Sequence, residues 1–94
     1  MSDILNQLYT VIASRQTNAP AESYTAKLFA AGENEIVKKV GEEAIEVIVA
    51  AKGQSDERIV SEMADLIYHA LVLLASRGIA WRAVEDELAR RFKT

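Results

Sequence analysis

No cysteine occurs among the 94 residues, which excludes a disulfide framework and any thiolate metal site. Its absence also suits a cytosolic setting. Proline is nearly missing too: the one copy, Pro20, lies in TNAPAES (17–23), a stretch that signals a loop. No basic-then-apolar leader opens the chain, so no signal peptide is expected. The longest unbroken apolar run, Ala70 to Ala75, falls short of the roughly 20 residues that cross a bilayer, and no membrane partner is expected. There is no excess of positive charge either. A formal net charge of −3 argues against a nucleic-acid binder with its basic stripe. It leaves open a small anionic substrate held through a metal ion. Strand-like alternation, internal repeats and low-complexity tracts are all wanting.

What the chain does have is apolar residues at helical spacing, within a composition that is 50% hydrophobic. This length implies one domain over residues 1–94, burying roughly 60–65% of the surface its unfolded chain exposes. That makes a thin core, so association between subunits is expected. Ile4, Leu5, Leu8, Val11 and Ile12 recur at i, i+3 and i+4, with Ser2 as a possible N-cap. A short helix is expected from about Ser23 to Ala31, ending at Gly32 in the left-handed C′ conformation. A longer one covers about 33–52 and stops at Gly53. The next is capped by Ser55 or Asp56, runs to Arg77 and stops at Gly78. A last helix, about 80–92, carries Val84, Leu88 and Phe92 on one face, although Ala80 is a poor N-cap. The expected fold is all-α, with four to five helices in a bundle completed by homodimerisation.

The acids in KKVGEEAIEVIVAAK (38–52) stand out against that apolar background. At about 100° per residue, Glu42, Glu46, Lys39 and Glu43 share one stripe, with Val40, Ala44 and Val47 on one flank and Ile45 and Val49 on the other. VSEMADLIYHALVLLA (60–75) repeats the pattern more sharply. Glu62, Asp65 and His69, with Arg58 and Ser76, form a narrow polar seam, while Met63, Ala64, Leu66, Ile67, Ala70, Leu71 and Leu74 fill most of the remaining surface. Either motif alone is commonly a solvated face, where i, i+3 and i, i+4 acids pair with lysine. Here both seams border core residues and are joined by the short turn Gly53-Gln54-Ser55. An antiparallel pair brings Glu43, Glu46, Glu62 and Asp65 together. Carboxylates crowded away from water repel one another and demand a positive partner. Hard divalent cations such as Mg²⁺ take oxygen ligands of this kind.

SYTAKLFAAG (23–32), KKVGEEAIEV (38–47) and ADLIYHALVLLASRG (64–78) resemble, in order and over about residues 22 to 92, the phosphoribosyl-ATP pyrophosphohydrolases of histidine biosynthesis. More broadly, GEEAIEV followed by SEMADLIYH resembles the all-α nucleoside triphosphate pyrophosphohydrolases (the MazG-like superfamily). The resemblance implies hydrolysis of phosphoribosyl-ATP to phosphoribosyl-AMP and pyrophosphate, with Mg²⁺, in a homodimer, and the expected location is cytoplasmic. Carried over by position, it implies metal ligation by Glu43, Glu46, Glu62 and Asp65, with Glu42 as the leading glutamate of the motif. Glu35 stands where members of the family often have a basic residue, so no phosphate contact is carried to it. Two other readings stay open: the same chemistry on standard or damaged dNTPs, and a non-catalytic helical dimerisation module.

For hydrolysis, a carboxylate not fully committed to metal, Glu42 or Glu46, is the candidate general base. Lys27 and Lys39 are candidate phosphate contacts, Lys39 because it lies within the acid stripe. Tyr24 and Thr25 are candidate lining of the nucleotide pocket, beside Ser23, which can also serve simply as a helix cap. His69 on the seam reads as a hydrogen-bonded core histidine rather than a catalytic one. Tyr68 reads as core or interface.

Overall fold

The computed structural model describes residues 3–92. Among these it contains five helices and no strand: α1 (Ile4–Ser14), α2 (Tyr24–Ala31), α3 (Glu33–Gly53), α4 (Asp56–Ser76) and α5 (Trp81–Phe92). The expected cap at Ser2 lies outside the described residues. The chain between α1 and α2 is a loop around Pro20, as its composition implies.

The helix ends follow local chemistry. Ser23 accepts a hydrogen bond from the Ala26 amide and Ser55 one from Arg58, each satisfying an otherwise orphaned N–H of the first turn. Ser55, not Asp56, is therefore the cap of α4. Gly78 (φ 69°) closes α4. The Ile79 amide donates to the Leu74 carbonyl at 2.9 Å and the Gly78 amide to Ala75 at 3.0 Å, the paired bonds of a Schellman ending. Gly32 departs from expectation. Its φ is positive at 100°, but its ψ of 174° lies in the region open essentially to glycine alone, not in the left-handed helical one. The reason is that Gly32 ends α2 and begins α3 at once, so the chain must turn sharply without an intervening loop. Gly53 needs no positive φ. It remains helical, and α3 ends at Gln54 in extended conformation.

α3 and α4 form an antiparallel hairpin. The line of α3 through Ile36, Glu43 and Ala50 turns inward: Ile36 and Ala50 are buried and Glu43 half-buried. Their spacing of seven residues matches the repeat that keeps one helix seam on a partner. α1 and α2 cover the C-terminal half of α4 and the start of α3, and the core is Ile12, Leu28, Ile36, Leu71, Val72 and Ala75. Leu71, read from sequence as one of the apolar residues needing a neighbour, is 0% exposed within this chain. α5 is tied to α1 by the Tyr9 hydroxyl, which donates to the Ile79 carbonyl at 2.7 Å, and by Asn6 with Glu85 at 3.2 Å.

The other half of the hairpin is uncovered. Ile45, Ile48 and Val49 on α3, and Val60 and Met63 on α4, are exposed. By length and hydropathy α4 could also cross a membrane. Its packing against α3 and α1 and its buried Glu62 and His69 fit the central helix of a bundle.

Candidate metal centre and active site

Three of the four carboxylates expected to converge do so. One oxygen each from Glu43, Glu62 and Asp65 lies within 4.8 Å of the others. Glu43 comes from the inward line of α3. Glu62 and Asp65, three residues apart, share one face of α4. Glu62 is only 6% exposed, while Asp65 opens to solvent. Glu46 is exposed and is not one of the group. It projects about 60° round α3 from Glu43, away from the line that faces α4.

Basic residues answer two of these charges. Lys39 bridges Glu42 at 3.4 Å and Glu43 at 3.5 Å. Desolvation pulls the Lys39 ammonium down, but Tyr24, Glu42 and Glu43 together outweigh it and hold its pKa above the usual lysine value. Arg58, one turn before Glu62, donates from Nη2 to the buried Glu62 carboxylate. Among the described residues Asp65 has no ion pair. A cluster of oxygen donors with one acid left unbalanced suits a hard divalent cation.

A second layer joins α2 to α4. His69 is buried, and its Nδ1 lies 2.8 Å from the Asp65 carbonyl oxygen. A carbonyl only accepts, so Nδ1 carries the proton and Nε2 offers a lone pair. The Tyr24 hydroxyl donates to it at 2.8 Å. The rings of Tyr24 and Tyr68 both meet that of His69 edge-on. Burial pushes the Tyr24 phenol above its ordinary pKa. Thr25 is buried with its hydroxyl bonded to that of Tyr68, so it holds the helices together at this point. Lys27 is exposed and pairs with Glu22 at 3.8 Å.

A shallow cavity of about 590 Å³, bordered by Arg15, Phe29, Ile36 and Ser76, includes none of Glu43, Glu62 and Asp65. Ile36 precedes Glu43 by seven residues and Ser76 follows Asp65 by eleven, which places the cavity about 10–16 Å along the hairpin from the cluster.

Residues 5–92 match the model of the phosphoribosyl-ATP pyrophosphohydrolase family. The chain belongs to this family. It is 53% identical to the phosphoribosyl-ATP pyrophosphatase of Metallosphaera sedula over 99% of this chain and 100% of that one. Its identity to the phosphoribosyl-ATP pyrophosphatase of Trichlorobacter lovleyi is 55%, over 97% of this chain and 84% of the relative. It is also 48% identical, over 97% of its length, to part of the histidine biosynthesis bifunctional protein HisIE of Caldanaerobacter subterraneus, spanning 44% of that longer protein. For this phosphoribosyl-ATP pyrophosphohydrolase family member, sequence patterning identified the acids but assigned no role to Arg58. The available signal was its place four residues before Glu62. The Tyr24–His69 bond had no comparable signal, since it joins residues 45 apart in the chain.

Proposed function

We propose that this chain hydrolyses phosphoribosyl-ATP to phosphoribosyl-AMP and pyrophosphate in cytoplasmic histidine biosynthesis, using Mg²⁺ held by Glu43, Glu62 and Asp65. The observation that carries the reading is the convergence of these three carboxylates in a chain that matches a phosphoribosyl-ATP pyrophosphatase from end to end. Water adds at phosphorus, the bond between the α- and β-phosphoryl groups breaks, and pyrophosphate leaves. Bound Mg²⁺ supplies charge neutralisation on the phosphates and favours loss of a proton from the attacking water.

The chain's own residues do the rest. Glu46, three residues on from Glu43 but outside the group of three, is a candidate base, or a further ligand if its side chain swings toward the cation. Its carboxylate is free of the ion pairs that hold Glu42 and Glu43, so it can accept the water's proton. Glu42 is the other candidate base. Lys39 sits where it can meet a phosphate oxygen. Tyr24, half exposed at the edge of the site, borders the nucleotide with Thr25 behind it, and Lys27 one turn along α2 approaches the phosphates.

We read the chain as one domain that works as a homodimer. The uncovered apolar side of the α3–α4 hairpin supports this, since such patches are unusual on soluble monomers and a two-fold axis buries them economically.

Pyrophosphate release from phosphoribosyl-ATP, ATP and dNTPs, each with and without Mg²⁺, tests the reading. Release from phosphoribosyl-ATP in preference to the others, and only with the cation, is expected. Preference for a dNTP overturns the substrate assignment, and release from none of them overturns the catalytic one.

A further inference from the structure

Arg58 and Glu62 are an unequal pair. The carboxylate is buried with a side chain 8% exposed, whereas the arginine side chain is 53% exposed. Arg58 is the one hydrogen-bond partner of the Glu62 carboxylate among the described residues. The guanidinium is therefore the positive charge set against this buried carboxylate while no cation is present. A divalent cation seated among Glu43, Glu62 and Asp65 would oppose a guanidinium bonded to one of its own ligands, because like charges a few ångströms apart repel strongly.

Lys39 and Arg58 differ in what that repulsion leaves them. Lys39 bridges two carboxylates and keeps Glu42 when Glu43 turns to the cation. Among the described residues Arg58 pairs with Glu62 alone and is left without that partner, on a long, half-solvated side chain at the rim of the site. A guanidinium in that position fits phosphate oxygens, which its planar fork meets in a bidentate way.

We propose that Arg58 is a placeholder for the cation at Glu62, displaced when the metal binds and then used to hold the phosphates of the nucleotide. The proposal rests on the cation site described above. Arg58 thereby makes cation binding and nucleotide binding reinforce each other, since metal frees the residue that the phosphates need.

The test measures Mg²⁺ affinity without nucleotide by calorimetry, together with KM and kcat for pyrophosphate release, in the wild type, Arg58→Gln and Arg58→Lys. Removing the competing charge in Arg58→Gln should tighten Mg²⁺ binding several-fold. Loss of a charge-assisted phosphate contact should raise KM by roughly tenfold or more with little change in kcat. Arg58→Lys keeps the charge and loses the fork, so its Mg²⁺ affinity should stay near that of the wild type while KM rises. It serves as the readout should the glutamine variant fail to fold. Unchanged or weaker Mg²⁺ binding in Arg58→Gln assigns Arg58 to orienting Glu62 and overturns the proposal, as does an unchanged KM in both variants. A wild-type protein that binds no Mg²⁺ overturns the cation site itself, and this inference with it.

Discussion

The hydroxyl of Tyr24 donates to Nε2 of His69 across 2.8 Å, fastening α2 to the helix that carries Glu62 and Asp65. The other imidazole nitrogen is committed to the Asp65 carbonyl, so the histidine cannot turn to another partner without breaking a second bond. Tyr24→Phe leaves Nε2 unsatisfied in a largely buried place. A loss of about 1–2 kcal/mol in unfolding free energy is expected by urea denaturation. His69→Gln can keep an acceptor toward Tyr24 and should cost less than His69→Phe. Equal losses in the two histidine variants would show that ring packing, not the hydrogen bond, is what matters.

The acid group should behave as one unit. Glu43→Gln, Glu62→Gln and Asp65→Asn are each expected to lower turnover by at least about 10²-fold while the helices persist by circular dichroism. Asp65→Asn should also raise the melting temperature of the metal-free protein, because it removes the one acid of the three without a basic partner. Added Mg²⁺ should then stabilise the wild type but not this variant. Near-normal turnover in two of the three variants would remove the metal assignment.

Acid pH should loosen α5 through Glu87. Its carboxylate is bound by Arg90 and then by Arg91, which holds its pKa below the ordinary value of 4.5. A lowered folded-state pKa means that the stabilisation is complete above the unfolded value and disappears as pH falls through the folded one. Glu87→Gln should therefore melt below the wild type at pH 7, and the two melting curves should converge once the pH drops well under 4.5. A gap that stays constant with pH would assign the difference to helix propensity instead.

Association should depend on the open half of the hairpin. Ile48 is 60% exposed and Val60 69%, so a charge at either position costs the isolated chain little. Ile48→Glu or Val60→Glu should dissociate the proposed dimer in sedimentation while leaving helix content largely intact. Leu71→Glu should unfold the chain outright, since Leu71 belongs to its own core. A wild type that sediments as a stable, active monomer of 10.4 kDa at micromolar concentration would contradict the proposed dimer.

The all-α fold and most of the acid group were legible because both are periodic properties. Glu62 and Asp65 sit three apart on a helix that is otherwise apolar, and serine or glycine marks the ends of α2 and α4. Glu46 exposes the limit of that reasoning. It shares the acid stripe with Glu42 and Glu43, but which part of a stripe turns inward depends on the partner helix. In α3 the inward line runs through Ile36, Glu43 and Ala50, leaving Glu46 exposed. The same limit concealed the pairing of Arg58 with the buried Glu62 and of Tyr24 with His69. An arginine four residues from a glutamate is usually a surface pair worth little. Only the burial of Glu62 sets this pair apart from a surface one. The expected left-handed ending at Gly32 failed because the direct junction of two helices was not visible in either helix alone.

Mn²⁺ added to ¹⁵N-labelled protein tests the central claim most directly, since it occupies oxygen-ligand sites of the kind Mg²⁺ uses and broadens nearby amide signals. The broadening should centre on Glu43, Glu62 and Asp65, spare α5, and reverse with excess Mg²⁺. Uniform broadening, or broadening centred on Glu85, Asp86 and Glu87, would contradict the assignment of this acid group as the cation site for pyrophosphate release from phosphoribosyl-ATP.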